Sequence, residues 1–265
     1  MDINLKNRKV VITGVSEGIG KGLALAFGEA GANVAGSARN SERLHAIETE
    51  ISGTGHFFFS ADFSKSGDIQ TFHDKAISAI GGVDILINNV GSIQKLAGFF
   101  DLSDKDWQEV FDVNLMSAVR ACRLFSSSLK QSVSPRIINI TSVAASRPGD
   151  VFPHYSAVKA GLCNLTISLA RTLASDKVLV NSVSPGPVWS KSWDDEAKNI
   201  AEKSAKDLQD VAAEIRVSSA ETLLLKRMGV PDDVTGLVLF LASDLSSWIT
   251  ASNFTVDGGF AQNPY

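Results

Sequence analysis

From residue 9 onward, short apolar runs alternate with longer amphipathic stretches. The runs at 9–13, 33–37, 56–60, 84–88, 136–140, 178–183 and 253–256 are dominated by apolar side chains and lack a polar alternation. That pattern predicts strands covered on both faces, as in a parallel sheet. Between them, apolar residues spaced three and four apart predict helices at 18–30, 41–51, 66–80, 104–129, 154–174 and 232–241. The strand–helix order repeats without a break to residue 183, which predicts a doubly wound α/β sheet. No linker and no shift of composition divides the chain, so residues 1–265 are expected to form one domain. Residues 189–225 break the rhythm with mixed charges on weakly apolar helical spacing. An insertion at that end of a strand predicts a lid over a binding site.

Composition narrows the class. With 44% hydrophobic residues and a net charge of −4, the chain has neither the make-up of disorder nor the basic footprint of a nucleic-acid binder. Its two cysteines, Cys122 and Cys163, are too few for a disulfide framework or a thiolate metal site, and no metal is expected. Both fall in apolar helical patterns and are read as small buried hydrophobes. The first residues enter a strand without an apolar leader-like stretch, and no apolar run approaches the ~20 residues a membrane span needs. A cytoplasmic protein with no membrane partner is the expectation.

The first chemical signal is the turn Thr13-Gly14-Val15-Ser16-Glu17-Gly18-Ile19-Gly20, between the first strand and the first helix. Glycines there let the backbone turn sharply and approach a pyrophosphate resting on the N–H groups of the helix N-terminus. The same letters contain Gly14-x-Ser16-x-Gly18, the nucleophile-elbow pattern of α/β hydrolases. That chemistry needs a later histidine, but the last one is His154, and no strand precedes the turn to build an oxyanion loop. About twenty residues beyond Gly20 the chain reads Ser37-Ala38-Arg39-Asn40, without the acid that would hold a ribose 2′-hydroxyl. Arg39 suits a 2′-phosphate instead, favouring NADP(H), with NAD(H) as the alternative. Glu17 works against this, adding negative charge to the turn.

A second signal is Tyr155-Ser-Ala-Val-Lys159 at the start of a long helix, where i,i+4 spacing places both side chains on one face. An ammonium beside a phenol is expected to lower its pKa from ~10, allowing Tyr155 to act as general acid/base near neutral pH. Ser142 follows a strand at its carboxyl end, where open α/β sheets bind ligands. Asn114 sits in mid-helix, a mild helix cost that suggests a polar duty.

In these residues the chain resembles the short-chain dehydrogenase/reductase family, in its single-domain branch of 3-oxoacyl-carrier-protein reductases and related ketoreductases. Thr13–Gly20 resembles TGxxxGxG; Asp62, with Phe63 beside it, stands where an Asp contacts adenine; Asn88-Asn89-Val90-Gly91 is similar to NNAG, with Val90 for the usual alanine. Asn114, Ser142, Tyr155 and Lys159 match the catalytic tetrad, and Pro185-Gly186 the turn leading to the nicotinamide. The resemblance implies a Rossmann-like, seven-stranded parallel sheet with helices on both faces. It also implies hydride transfer between a nicotinamide and a ketone or secondary alcohol. Tyr155 would then exchange the proton, Lys159 tune it and hold the nicotinamide ribose, Ser142 position the carbonyl, and Asn114 hold a relay water. Gly14, Ser16, Glu17, Gly18, Ile19, Gly20, Arg39, Asp62, Phe63, Asn89, Gly91, Tyr155, Lys159, Pro185, Gly186, Val188 and Ser190 are the implied cofactor contacts.

Ile93, Gln94, Ser142, Val151, Phe152, Trp189 and Trp193 are the expected substrate residues, lining a mostly apolar cleft with no fixed cation. A small-molecule carbonyl or alcohol is the expected partner. Phe260 and the tail after Gly258-Gly259 resemble the family's subunit-contact region and imply a homotetramer or homodimer. His154 is read as a helix-start residue without a chemical part, and Phe57-Phe58-Phe59 as a buried strand. The competing reading is a catalytically silent sensor or scaffold on the same fold.

Overall fold

In the computed structural model, which describes residues 3–261, seven parallel strands form one sheet. They are β1 (Lys9–Thr13), β2 (Asn33–Ala38), β3 (Phe57–Ser60), β4 (Ile85–Asn88), β5 (Arg136–Ile140), β6 (Leu179–Pro185) and β7 (Asn253–Val256), in the spatial order β3-β2-β1-β4-β5-β6-β7. The helices are α1 (Gly18–Glu29), α2 (Ser41–Glu50), α3 (Ser66–Ile80), α4 (Asp104–Phe111), α5 (Ser117–Leu129), α6 (Pro153–Thr172), α7 (Lys191–Ser204), α8 (Leu208–Glu221) and α9 (Pro231–Ala242). The fold is the Rossmann-like α/β arrangement the sequence implies.

Alternation along the central strands divides the core in two. Val10 and Ile12 of β1 face one layer, with Leu23 and Phe27 of α1 and Val238 and Leu241 of α9. Val11 faces the other, with Phe72 of α3 and Phe125 and Leu129 of α5. Strand order reverses between β1 and β4, so the connections leave those two strands toward opposite sides and open a crevice at their carboxyl ends.

Three local differences from the sequence reading have physical causes. The stretch 104–129 is not one regular helix: residues Asp112–Met116 form a π turn between α4 and α5. There Asn114 Nδ2 donates to the Val110 carbonyl oxygen at 2.9 Å and Ser117 Oγ to that of Val113 at 2.5 Å, competing with the regular backbone ladder. Phe57, Phe58 and Phe59 are half-buried, not buried, because β3 is an outer strand with only β2 as neighbour. Cys122 is buried as expected, but Cys163 is only partly so.

Residues 189–225 fold mainly as α7 and α8, packed on each other around Ala197, Ala201 and Val211, a cluster separate from both sheet cores. Ala205, with φ +53°, makes the left-handed turn out of α7. No helix among the described residues is long and apolar enough to cross a membrane.

Candidate active site

The carboxyl ends of the strands open into a cleft of about 1230 Å³. Its floor at one end is the β1–α1 turn, where Gly14 has φ +76°. A Cβ on Gly20 would lie 2.0 Å from the Gly14 carbonyl oxygen, so only glycine permits this tight a turn. Asn89 locks the turn to the end of β4: its Nδ2 donates to the carbonyl oxygens of Thr13 at 3.1 Å and Gly14 at 2.8 Å. Thr13 Oγ1 in return accepts from the backbone N–H groups of Asn89 and Val90. The side chain of Glu17, at the N-cap of α1, makes no capping bond. It forms an ion pair with Arg43 instead. The helix N-terminus, with its positive dipole end, is thus left facing the cleft.

Next to this turn, Arg39 lines the cleft, its backbone carbonyl held by Ser60 Oγ at 2.9 Å. Asp62 accepts from the backbone N–H of Ser64 at 3.0 Å and from its hydroxyl at 2.7 Å. Burial acts to raise the Asp62 carboxyl, but the Ser64 bonds, Lys65 and Arg39 outweigh it and hold the group below the usual carboxylate range. Phe63 is buried behind it, edge-on to Phe72.

At the far end, α6 presents Tyr155 and Lys159 on one face. Lys159 is 2% exposed, and its Nζ donates to the Ile140 carbonyl oxygen at 3.0 Å. The same Nζ lies 5.6 Å from the centre of the Tyr155 ring. Burial pushes the Tyr155 phenol up to about 12, against a bond from Ser142 that lowers it. This reverses the expected downward shift: burial outweighs the Ser142 interaction, while the Lys159 ammonium gives its hydrogen bond to Ile140 instead. Lys159 itself is pushed by burial down to about 8. Ser142 caps the short helical turn Val143–Ala145, its Oγ accepting from the Ala144 N–H at 3.1 Å.

Asn114 is fully buried and does not line the cleft. Its Nδ2 donates to the Ser92 carbonyl oxygen at 2.8 Å and its Oδ1 accepts from the Ser92 N–H at 3.0 Å, fixing the loop after β4. Between it and the lysine runs Gly91, where a Cβ would stand 2.9 Å from both Asn114 Oδ1 and Lys159 Nζ.

All seventeen residues expected to touch a cofactor line this one cleft, from Gly14 to Ser190. Pro185 and Gly186 form its back wall; a Cβ on Gly186 would sit 2.6 Å from Asp257 Cβ. The cleft suits a dinucleotide: a glycine cradle without room for a side chain, a cation beside it, and a phenol, a serine and a buried lysine at the opposite end.

Of the substrate residues, Ile93, Gln94, Ser142, Phe152 and Trp193 line the cleft, while Val151 and Trp189 do not. Val151 turns its side chain outward and is 46% exposed. Trp189 backs Trp193, stacked at 6.2 Å, donates its indole N–H to Asp194 Oδ1 at 3.0 Å, and lies under the Arg216 guanidinium at 4.0 Å. A cation does line the cleft, contrary to the expectation: Arg147, stacked on Phe260 at 4.4 Å. Polar residues of the 189–225 segment that line the cleft were also missed, among them Ser192 and Asn199 of α7, Ser219 of α8 and Thr222 just after it. Their signal was present: 192, 195, 196 and 199 fall on one helical stripe. His154 is fully buried, its ring edge-on to Trp107 at 5.9 Å.

Fold and cleft together define a dinucleotide-binding α/β protein. The sequence profile of the family described as enoyl-(acyl carrier protein) reductase matches residues 14–261. The chain is similar to the oxidoreductase YvrD of Bacillus subtilis, 34% identical over 264 residues that cover 99% of this chain and all of that protein. It is 33% identical to the 3-oxoacyl-[acyl-carrier-protein] reductase FabG of Chlamydia pneumoniae, over 98% of this chain and 99% of that one. The L-sorbose reductase of Gluconobacter frateurii, solved with NADPH and L-sorbose, superposes with a TM-score of 0.91 at 27% identity, covering 99% of this chain and all of that one. An NADPH-bound short-chain oxidoreductase of Pseudomonas aeruginosa superposes at 0.87 with 30% identity, covering 97% and 98%. This chain belongs to the short-chain dehydrogenase/reductase family, oxidoreductases that act on CH–OH and C=O groups.

Proposed function

We propose that this protein is an NADPH-dependent reductase of ketones, interconverting them with secondary alcohols, in which Tyr155 is the general acid. The observation that carries the reading is one cleft with Arg39 beside a glycine cradle at one end and Tyr155 and Ser142, with buried Lys159 behind, at the other. The NADPH bound by the two solved neighbours supports the cofactor assignment.

When bound, the dihydronicotinamide supplies a hydride to the carbonyl carbon. The substrate oxygen gains its proton from the Tyr155 hydroxyl, and Ser142 Oγ orients that oxygen. Lys159 holds positive charge beside the phenolate left behind, which is then reprotonated from solvent. Asn114 positions the loop at Gly91 beside Lys159 through its two bonds to Ser92. Glycine, Arg39 and Asp62 hold the adenosine end, and Pro185, Gly186, Val188 and Ser190 the nicotinamide end.

Residues 189–225 act as the substrate lid, a role supported by their separate small core and by the polar faces of α7 and α8 on the cleft. An assembly of two or four copies belongs to the same proposal, supported by exposed Phe99, Phe100 and Phe111. Two unpaired thiols suit a reducing compartment such as the cytoplasm.

The test is a fluorescence titration with NADPH and with NADH, followed by a carbonyl panel with the wild type and Tyr155→Phe. Tight NADPH binding, with turnover lost and binding kept in the variant, supports the enzyme; unchanged turnover in Tyr155→Phe overturns the assigned acid.

A further inference from the structure

Four cations line the cleft, and three of them are accounted for: Lys159 and Arg39 by the reading above, Lys95 by its ion pair with Asp106 at 3.1 Å. Arg147 is not. It lies in the loop between β5 and α6, which is tied to the reacting groups at both ends. Its backbone N–H donates to the Val143 carbonyl oxygen at 2.8 Å, in the short turn that Ser142 caps. Two residues on, a Cβ on Gly149 would stand 2.6 Å from Phe152 Cζ, so the loop packs closely on the ring that meets Tyr155 edge-on at 6.3 Å. The Arg147 guanidinium rests on the Phe260 ring at 4.4 Å, and its Nη1 donates to the Phe260 carbonyl oxygen. These contacts orient the head and leave most of its N–H donors unused. Among the described residues it has no carboxylate partner, although Glu196 of α7 lines the same cleft.

A guanidinium of this kind matches a planar anion, because its forked donors meet the two oxygens of a carboxylate in parallel bonds. The aromatic backing helps, since an arginine already oriented by a ring loses less side-chain freedom when a ligand arrives. A carboxylate suits the cleft better than a dianionic phosphate, whose second charge Glu196 would repel. We infer that Arg147 determines specificity: the ketone this cleft takes carries a carboxylate, held by Arg147 while the carbonyl oxygen lies at Tyr155 and Ser142. Phe260 is a positioning residue that acts through the arginine. The inference rests on the ketone-reductase reading above and adds the class of substrate to it.

The experiment measures steady-state rates with NADPH on levulinate and its longer straight-chain homologues, each against its own methyl ester, which removes the charge. The enzymes are the wild type, Arg147→Gln, Arg147→Lys and Phe260→Leu. The wild type is expected to favour at least one acid over its ester by roughly tenfold or more in kcat/KM, chiefly through KM. Arg147→Gln keeps a donor for the Phe260 carbonyl oxygen but should bring that ratio near one, and Arg147→Lys should keep part of it. Phe260→Leu should lower the ratio by less, again through KM. A readout without turnover is calorimetric titration of pentanoate into the enzyme with NADP+: it should bind more tightly than pentanamide in the wild type and no more tightly in Arg147→Gln. Equal rates on acids and esters in the wild type, or an acid preference that survives Arg147→Gln, overturns this inference and leaves the reductase reading standing. Reduction of no ketone at all, charged or neutral, sinks the reductase reading itself.

Discussion

Lys159 Nζ lies 5.6 Å from the centre of the Tyr155 ring, yet donates its hydrogen bond to the Ile140 carbonyl oxygen at 3.0 Å. The two groups are shifted in opposite directions by the same burial, the phenol to about 12 and the ammonium to about 8. At neutral pH both therefore hold their protons, the state in which Tyr155 can donate one.

A pH dependence follows, with opposite signs for the two directions. Reduction needs the phenol and should stay flat from mildly acid pH to neutrality, changing where Lys159 loses its charge near 8. Alcohol oxidation needs the phenolate, whose fraction rises tenfold per pH unit below its pKa, so its rate should climb through the alkaline range. Rate profiles in both directions check this. Lys159→Ala should erase the inflection near 8; an inflection that persists would assign it to another group.

Removing the Tyr155 hydroxyl should cost roughly 10²–10⁴-fold in kcat, the usual worth of a positioned general acid. The Tyr155→Phe ring keeps its edge-on contact with Phe152, so NADPH affinity and melting temperature should be preserved. A parallel collapse of binding would mean that the hydroxyl serves the structure instead.

Arg39→Ala should weaken NADPH roughly ten- to hundredfold while leaving NADH nearly unchanged, the consequence of losing a charge-assisted contact that only the 2′-phosphate makes. Paired titrations decide it, and equal loss for the two cofactors would move Arg39 out of the site.

Asn114→Ala should be felt first in the loop after β4. Its fully buried amide accounts for two bonds to Ser92 and one to Val110. Loss of stability of about 1–3 kcal/mol is expected from the unpaired groups left behind. If the loop at Gly91 also guides proton relay, kcat should fall more than KM rises, a split that steady-state kinetics would resolve.

For stability alone, Phe125→Ala is the stringent case. The ring is fully buried, edge-on to Phe72 at 6.3 Å, in the layer beneath α3 and α5. A loss of about 3–5 kcal/mol is expected in denaturant unfolding, with the cleft residues untouched until the fold gives way.

The strands at β1, β4 and β5 were legible in the sequence because they are buried on both faces, and such burial writes an uninterrupted apolar run. The glycine turn and the Tyr155–Lys159 pair were legible for a related reason: their chemistry depends on spacing within one turn or one helical repeat, which sequence records directly. What spacing does not record is which way a side chain faces once distant elements pack. Trp189 and Trp193 are four residues apart, yet only Trp193 reaches the cleft, since Arg216 of α8 and Asp194 claim the other indole. Arg147 enters the cleft through its stacking on Phe260, more than a hundred residues along the chain. Glu17 reads as a repulsive charge until α2 brings Arg43 against it. The direction of the Tyr155 shift belongs to the same group. It is decided by how much water the packed strand ends exclude, and desolvation is a property of the assembled structure alone.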